Sequence, residues 1–265
     1  MSIKPEERIA ATLARLILDP SAPPARHIAV GAASPIPAAA CWLVKKQGHP
    51  VRLSLLHKRS GNPFTEGSRE LFDLTGQGRI DLFFLGGGQI DGQANINLVG
   101  TGDWPGTGVR FPGSFGSAFM YFMTPRTILF RDEHSPRVLV DKVDMISAPG
   151  VSPPGVFRRG TAQALVTGRC MFRFHPDRAR FTLDSVHPGE SVASIRAETG
   201  FDFDVPDTVP ATPDPTEAEL ALLRGPVCDE MLETYPEFCA RVFGRSSDDR
   251  RAEPPQAASA GGLNR

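Results

Sequence analysis

The stretch FFLGGGQIDGQANINLVG, residues 83–100, joins a strongly apolar run to three glycines and then to a mostly polar segment. The apolar residues predict a buried strand, and the glycines predict a loop directly after it. Glycine permits positive φ angles and the close approach of another backbone or of a ligand. The segment lacks the G-x-G-x-x-G order of dinucleotide-binding loops and the G-K-[ST] of phosphate loops, which argues against nucleotide binding. From these residues alone, a tight structural loop and a ligand-binding loop are equally supported.

The segments around this loop alternate between helix and strand patterns. Helices are predicted at residues 5–18, 37–48 and 68–78, and strands at residues 27–30, 51–58 and 79–86. Such alternation is typical of βαβ units with a parallel sheet. Strands are also predicted at 126–132 and 137–149, and segments 169–174 and 179–183 form an antiparallel pair around the turn HPDR. The predicted fold class is therefore α/β, with an open mixed, mostly parallel sheet flanked by helices.

The C-terminal part returns to helix after one more strand. Ser191 is a suitable N-cap and Gly200 a suitable C-terminal stop for a short helix, and the segment FDFDV that follows is predicted to be the last strand. Helical patterns then continue through Phe243. The segment 245–265 is polar and rich in proline, glycine and alanine. We therefore expect a single domain over residues 1–244 and a disordered tail over residues 245–265.

Composition excludes several classes of function. The chain has 265 residues, 40% of them hydrophobic, and a formal net charge of −1, without the clustered lysines and arginines that nucleic-acid binding requires. Four cysteines lie far apart without zinc-ligand spacing, so no metal site is predicted and reduced cytoplasmic thiols are expected. The N-terminus does not resemble a signal peptide, and no apolar run is long enough to span a membrane. We expect a cytoplasmic protein without a membrane contact.

A second glycine segment, VRFPGSFGSAFMYF, follows the first. Gly113 and Gly116 bracket a short turn before an apolar, helical pattern. Successive backbone N–H groups in such a turn can stabilise a developing oxyanion, although ordinary turn chemistry explains either loop by itself. Nearby polar residues could line a pocket or bond to their own backbone, and the second role is the commoner one. These polar residues are Asn62, Gln89, Asp91, Asn95 and Asn97.

Several segments in this order resemble one known family. They are AVGAASPIPAAACWL, GRIDLFFLGGGQIDGQANINLVG, VRFPGSFGSA, VDKVDMISAPG and LDSVHPGESVASIRAETGFDFDV. Together they resemble the β subunit of family I coenzyme A transferases, particularly the glutaconate CoA-transferase branch, over about residues 5–225. The resemblance implies the NagB-like fold of that family, a homologous α subunit in a heterodimer or heterotetramer, and an active site between the subunits. It also implies a CoA thioester as substrate and no bound cofactor.

The resemblance also implies roles for individual residues. Gly113, Gly116 and Ser117 would form the oxyanion loop. Gly86, Gly87, Gly88, Gln89 and Asp91 would shape the substrate pocket, with Asn95 and Asn62 beside it. The catalytic glutamate of the family stands before a Ser-Gly or Asn-Gly pair, whereas Arg59 occupies that position here. Arginine stays protonated and cannot attack a thioester, but its guanidinium group suits a carboxylate. Glu66 is a weaker substitute for the missing nucleophile.

The loss of the glutamate favours hydrolysis over transfer. Within the wider family, the steroid ring-cleaving CoA hydrolase also lacks this glutamate and uses an acid/base residue of its α subunit. The sequence therefore predicts the β subunit of a CoA-ester hydrolase that cleaves C–C bonds in ring compounds, active only with an α subunit. A true CoA-transferase β subunit is the first alternative. A β-like subunit without chemistry, which only supports an α partner, is the second.

Overall fold

The computed structural model describes residues 2–60, 62, 64–103, 105–106 and 108–246. Within the tail that was predicted to be disordered, residues 247–265 lie outside the described residues. The strands are β1 (His27–Val30), β2 (Arg52–Leu55), β3 (Leu82–Leu85), β4 (Gln89–Ile90), β5 (Ile96–Asn97), β6 (Gly100–Thr101), β7 (Val109–Arg110), β8 (Arg126–Arg131), β9 (Thr161–Thr167), β10 (Cys170–His175) and β11 (Arg180–Val186).

The helices are α1 (Pro5–Ile17), α2 (Pro35–Lys46), α3 (Ser68–Gly76), α4 (Ser117–Met123), α5 (Val192–Ala197), α6 (Glu217–Leu222), α7 (Cys228–Met231) and α8 (Pro236–Phe238), with π-helical turns at Leu223–Val227 and Cys239–Phe243. None of these helices is long and apolar enough to cross a membrane, within the part of the chain that the structure describes. The α2 helix begins two residues before the predicted start, because Pro35 takes the first helical position, where the missing N–H costs nothing.

Seven strands form one sheet in the order β11-β10-β9-β8-β3-β1-β2. The strands β2, β1, β3, β8 and β9 run parallel to one another, whereas β10 pairs antiparallel with both β9 and β11. The predicted mixed, mostly parallel sheet is confirmed. β1 and β3 lie inside the sheet and are buried at every residue. Apart from His27, their residues are apolar, which reflects cover on both faces of a parallel sheet.

Alternate side chains of the central strands pack against opposite layers. Ile28, Val30, Leu82, Phe84 and Ile128 contact α1, α2 and the C-terminal helices on one face. The residues between them face the layer that contains α3, α4 and the short strands β4 and β5; these residues are Ala29, Phe83, Leu85 and Leu129. The sheet is therefore the middle of three layers. A site can form at the carboxyl ends of its parallel strands.

Two segments that were predicted to be strands form only isolated β-bridges. Within residues 137–149, Leu139 bridges to Ile90 and Ala148 bridges to Ile96. In the segment FDFDV, Asp204 bridges to Thr182 at the edge of β11. The first segment makes two backbone hydrogen bonds with Ile90 and three with Ile96, and the second makes two with β11, so neither forms a continuous ladder. Their apolar residues serve as cover for the second layer.

The C-terminal helical region is continuous in direction only up to Gly225. This residue has φ −106° and ψ −108°, which lies outside the helical range, and Pro226 follows it. Proline lacks the N–H that would continue the hydrogen-bond ladder. The predicted helical stretch is thus broken into short pieces, which wrap over α2.

A buried polar turn connects β4 to β5 directly after the glycine run. Asp91, which is 4% exposed, accepts hydrogen bonds from the N–H groups of Gln93 and Asn95 at 3.0 Å each and from Asn95 Nδ2 at 3.1 Å. Asn95 Oδ1 in turn accepts a hydrogen bond from the N–H of Gly150 at 3.0 Å. The carboxylate of Asp91 therefore holds the turn closed, and Asn95 ties it to the neighbouring loop.

Replacement of Asp91 by alanine should lower the free energy of unfolding by about 2–4 kcal/mol, because three donors lose their acceptor and the two on Asn95 are buried. Asp91→Asn keeps one acceptor oxygen and should cost less. Urea denaturation of the purified chain measures both values. Asp103→Ala in an exposed loop is the matched control and should change the free energy by less than about 0.5 kcal/mol. Equal stability of Asp91→Ala and the control would contradict the bracing role.

A buried histidine makes the fold sensitive to acid. His134 is 7% exposed, with Nδ1 2.8 Å from Thr167 Oγ1 and Nε2 3.0 Å from Thr199 Oγ1. Burial, aided by the charge of Arg169, lowers the pKa of His134 from 6.5 to about 4. Between these two pH values the unfolded chain binds a proton that the folded chain does not, so stability falls as pH falls.

We expect this histidine to remove up to about 3 kcal/mol of stability between pH 6.5 and pH 4. His134→Gln should flatten the pH dependence of the unfolding free energy across this window, even if it lowers stability at pH 7. His49→Gln, at an exposed position, should leave the slope unchanged. An unaltered slope in His134→Gln would show that other buried groups carry the effect.

Candidate active site

The carboxyl ends of β1, β3 and β8 meet at one edge of the sheet, because these strands are parallel neighbours. A cavity of about 920 Å³ opens at this edge. It is lined by the turn after β1, the glycine run after β3, the end of β8 and the loop before α4. Open α/β sheets bind their ligands at the carboxyl ends of the strands. This cavity is therefore the candidate active site.

The glycine run Gly86–Gly88 lines the cavity and also packs tightly against its surroundings. A Cβ atom at Gly86 would lie 3.3 Å from the carbonyl oxygen of Phe130, and one at Gly88 would overlap the ring of Phe111. None of these three glycines has a positive φ angle. Close approach, not backbone conformation, is thus the reason for glycine at these positions.

The second glycine loop, residues 113–117, forms the opposite wall. Gly113 has a φ of +104°, which favours glycine, and a Cβ atom at Gly116 would overlap the ring of Phe72. The N–H of Gly113 donates to Leu98 O at 3.0 Å, and the N–H of Ser117 donates to Ser114 O at 2.7 Å. Both of these donors are therefore occupied.

Three backbone N–H groups in the same loop remain available. Those of Ser114, Phe115 and Gly116 donate no hydrogen bond within the described part of the chain. All three residues line the cavity. A loop that presents consecutive unpaired N–H groups can bind an anion or stabilise an oxyanion. The predicted oxyanion loop thus has donors to offer. One belongs to Gly116, which the sequence analysis named, and two belong to Ser114 and Phe115, which it did not.

The polar residues after the glycine run do not line the cavity. Gln89 is 6% exposed, and its Oε1 accepts hydrogen bonds from Asn97 Nδ2 at 2.7 Å and from the N–H of Asp144 at 3.0 Å. Asp91 and Asn95 are bonded to each other in the turn described above. These three residues therefore hold the glycine run in place.

Arg59, Asn62 and Glu66 are not among the residues that line the cavity, although the segment that contains them is flanked by Leu56 and Ser68, which do. Arg59 is exposed, and the next residue, Ser60, is bonded through its N–H to Glu233 at 2.9 Å. Asn62 accepts a hydrogen bond from the N–H of Phe64 in a local turn. The side chain of Glu66 is 63% exposed and paired with Arg69 at 3.0 Å. The structure therefore does not bring these residues together with the two glycine loops.

Sequence reasoning missed the charged residues that do line the cavity. Arg131 and Asp132 stand at the end of β8, and Arg137 and Arg241 reach the cavity from later segments. The signal for Arg131 was its position as the last residue of a predicted parallel strand, the place where ligand-contacting residues are common. Arg137 and Arg241 carry no comparable signal, because only the folded chain brings them there.

The cysteines and histidines of the described residues are not part of the cavity lining. All four cysteines are buried free thiols, and burial raises the pKa of Cys41 and Cys170, which makes these thiols unreactive. The described residues also include no group of three or more His, Cys, Asp or Glu side chains that could hold a metal ion.

Three characterised proteins are similar to this chain. The B subunit of 3-oxoadipate CoA-transferase from Pseudomonas knackmussii is 32% identical over 56% of this chain and 58% of its own length. The B subunit of glutaconate CoA-transferase from Acidaminococcus fermentans is 31% identical over 52% and 54%. The cholesterol ring-cleaving hydrolase IpdB subunit from Rhodococcus jostii is 28% identical over 59% and 62%. The chain therefore matches little more than half the length of these relatives.

Solved structures extend the likeness in fold to most of the chain. Glutaconate CoA-transferase from Acidaminococcus fermentans and IpdAB from Rhodococcus jostii each superpose with a TM-score of 0.72 at 22% identity, over 84% and 85% of this chain and 94% of theirs. The decarboxylase AibA/AibB superposes with a TM-score of 0.68 at 23% identity, over 84% of this chain and 94% of its own. At these identities the likeness establishes the fold alone.

A family model places the candidate site within a defined family. The coenzyme A transferase model matches residues 47–198, which is more than half of the 265 residues. The matched range runs from the turn before β2 to α5 and includes both glycine loops and the end of β8. The resemblance that the sequence motifs indicated is confirmed, and this chain belongs to the coenzyme A transferase family.

Proposed function

We propose that this chain is the β-type subunit of a heteromeric enzyme that acts on a CoA thioester and hydrolyses a C–C bond in a ring compound. The observation that carries the proposal is the chemistry of the cavity wall. Within the described residues, its lining contains two glycine loops but no glutamate, and Asp132 is its sole carboxylate. A covalent route through a glutamate of this chain therefore has no group to begin it.

Glu66 and Asp132, the two remaining acidic candidates, are poorly placed to act as nucleophiles. Glu66 lies outside the lining and is ion-paired to Arg69. Asp132 lies at the cavity, but its side chain is 68% exposed and its Oδ1 accepts a hydrogen bond from the N–H of Glu133 at 3.0 Å. Attack by water is the route that needs no nucleophile from this chain. The unpaired N–H groups at residues 114–116 would then stabilise the oxyanion.

Hydrolytic ring cleavage fits this division of labour. Water adds to a ring carbonyl, the adjacent C–C bond breaks, and the carbanion that leaves takes up a proton, which gives a carboxylate and an open chain. The base and acid for these proton transfers would come from an α-type subunit, since the cavity wall of this chain offers neither a histidine nor a buried carboxylate within the described residues. The relative named a cholesterol ring-cleaving hydrolase subunit supports this assignment.

The surface beside the cavity also supports a partner subunit. Phe115 and Phe119 are 83% and 40% exposed, and both rings lie within 6 Å of the ring of Phe72. Exposed aromatic residues next to a site are typical of subunit contacts. We propose an α-type subunit at this surface, in a heterodimer or heterotetramer. The functional unit would span residues 1–244, act in the cytoplasm and bind no cofactor.

A CoA-transferase is the alternative that the comparisons favour most, because two of the three relatives are CoA-transferase subunits. In that case Glu66 or a residue of the partner would replace the missing nucleophile. A subunit without chemistry, which only completes the partner's CoA site, is the remaining alternative. Arg59, at the position of the family's glutamate, is the residue on which the hydrolase and transferase assignments differ.

The test uses the full chain co-purified with an α-type subunit, a cyclic 1,3-diketone that carries a CoA thioester, and water enriched in oxygen-18. We expect a ring-opened CoA ester with one heavy oxygen atom in its new carboxylate, measured by mass spectrometry. Hydroxylamine trapping of the complex should leave every glutamate of this chain unmodified.

A glutamyl hydroxamate in this chain would contradict hydrolysis and establish the transferase assignment. Glu66→Gln tests that alternative directly, because retained CoA exchange in this variant would exclude Glu66 as the nucleophile. An Arg59→Glu variant that gains CoA transfer would tie position 59 to the family's glutamate. Activity of the α-type subunit without this chain would leave only the supporting role.

A further inference from the structure

We propose that Arg131 binds an anionic group of the substrate inside the cavity, an inference that rests on the proposed function. Arg131 is the last residue of β8 and lines the cavity. The register that pairs Leu85 with Leu129 brings the glycine run beside the end of β8, so Arg131 and the run face the same space. The proposal gives the cavity a charged subsite opposite its apolar wall.

The guanidinium group of Arg131 has two acidic neighbours but makes no hydrogen bond to either within the described residues. Its side chain is 35% exposed, but the Nε atom is buried and has no hydrogen-bond partner. The nearest carboxylate oxygens, on Asp132 and Glu133, lie 4.0 and 3.7 Å from its nitrogens. Both distances exceed those of hydrogen bonds. A buried donor without an acceptor is costly, and it is the kind of group that a ligand satisfies.

Glu133 makes its hydrogen bonds to other residues and only a long ion pair, at 3.7 Å, to Arg131. Arg137 donates to both oxygens of the Glu133 carboxylate, through Nε at 3.1 Å and through Nη2, and Ser135 Oγ donates to Oε1 at 2.7 Å. The carboxylate of Glu133 is therefore hydrogen-bonded to Arg137, and the guanidinium group of Arg131 faces the cavity without a hydrogen bond to Glu133.

The other arginines of the cavity wall are hydrogen-bonded to their acidic partners, Arg137 to Glu133 and Arg241 to Glu6. Arg241 also stacks over Phe238 at 5.6 Å. Arg131 therefore differs from them in having donors to spare. A planar guanidinium binds a carboxylate or a phosphate through two parallel hydrogen bonds.

The anion has two sources in a CoA ester that the experiment must separate. One is a free carboxylate on the acyl group, and the other is a phosphate of CoA itself. Two relatives act on esters of dicarboxylic acids, 3-oxoadipate and glutaconate, by their names. A carboxylate recognised at Arg131 would make substrates with an acidic acyl group the preferred class.

The test measures dissociation constants by calorimetry for the full chain, alone and with its co-purified partner. The probes are glutaryl-CoA, butyryl-CoA, CoA, free glutarate and inorganic phosphate. The variants are Arg131→Gln, Arg131→Lys and, as a matched control, Arg178→Gln, which removes an arginine paired with Asp204 at the distant β10–β11 hairpin. Urea denaturation checks that each variant folds.

We expect Arg131→Gln to weaken binding of glutaryl-CoA by about 10- to 100-fold, the loss of a charge-assisted contact. Arg131→Lys should retain part of the affinity, and Arg178→Gln all of it. If butyryl-CoA and CoA are unaffected, the acyl carboxylate is the ligand. If all three CoA compounds weaken equally, a phosphate of CoA is the ligand. Both results support the anion subsite.

An affinity of Arg131→Gln for glutaryl-CoA within twofold of wild type would overturn the inference. The same holds if the wild-type chain binds none of the five probes. Failure of the proposed function has a different signature. In that case the wild type binds no CoA compound, yet glutarate or phosphate still binds and does so only when Arg131 is present.

Discussion

The parallel pairing of β1, β3 and β8 is the constraint on which the rest of the structure depends. Its register sets Ile28 beside Leu82 and Leu82 beside Arg126. Because the three strands run in the same direction, their carboxyl ends and the loops that follow must meet at one edge. The cavity, the glycine run after β3 and the position of Arg131 at the end of β8 follow from this arrangement of hydrogen bonds.

Close contacts then shape the edge into a site. Gly86 and Gly88 leave room for Phe130 and Phe111, and Gly116 leaves room for Phe72. The buried side chain of Asn95 is hydrogen-bonded to Asp91, and that of Asn97 to Gln89. The cavity wall therefore keeps its shape without a ligand. Preorganisation of this kind keeps unpaired backbone donors in position, which a site for a developing anion requires.

The charged residues of the cavity wall indicate what this chain contributes to the proposed enzyme. The cavity wall of the described chain has three arginines and one exposed aspartate, and Glu133 and Glu6 engage two of the arginines. What remains is a binding surface with donors to offer and no nucleophile. Under the proposed function, this surface would bind and polarise the substrate, and proton transfer would fall to groups of the partner subunit.

The sequence by itself determined the fold class, the order of most elements and the family, because apolar runs, glycine turns and ordered motifs are local signals. Strands β1, β3 and β8 and the hairpin of β10 and β11 were predictable for that reason. Only the tertiary structure decided that residues 137–149 bridge at single points, that Asp91 braces a turn, and that Arg59 lies exposed while Arg131 faces the cavity. These outcomes depend on which side chain competes for which partner across long sequence distances, as Arg137 does for Glu133, and no local pattern records that competition.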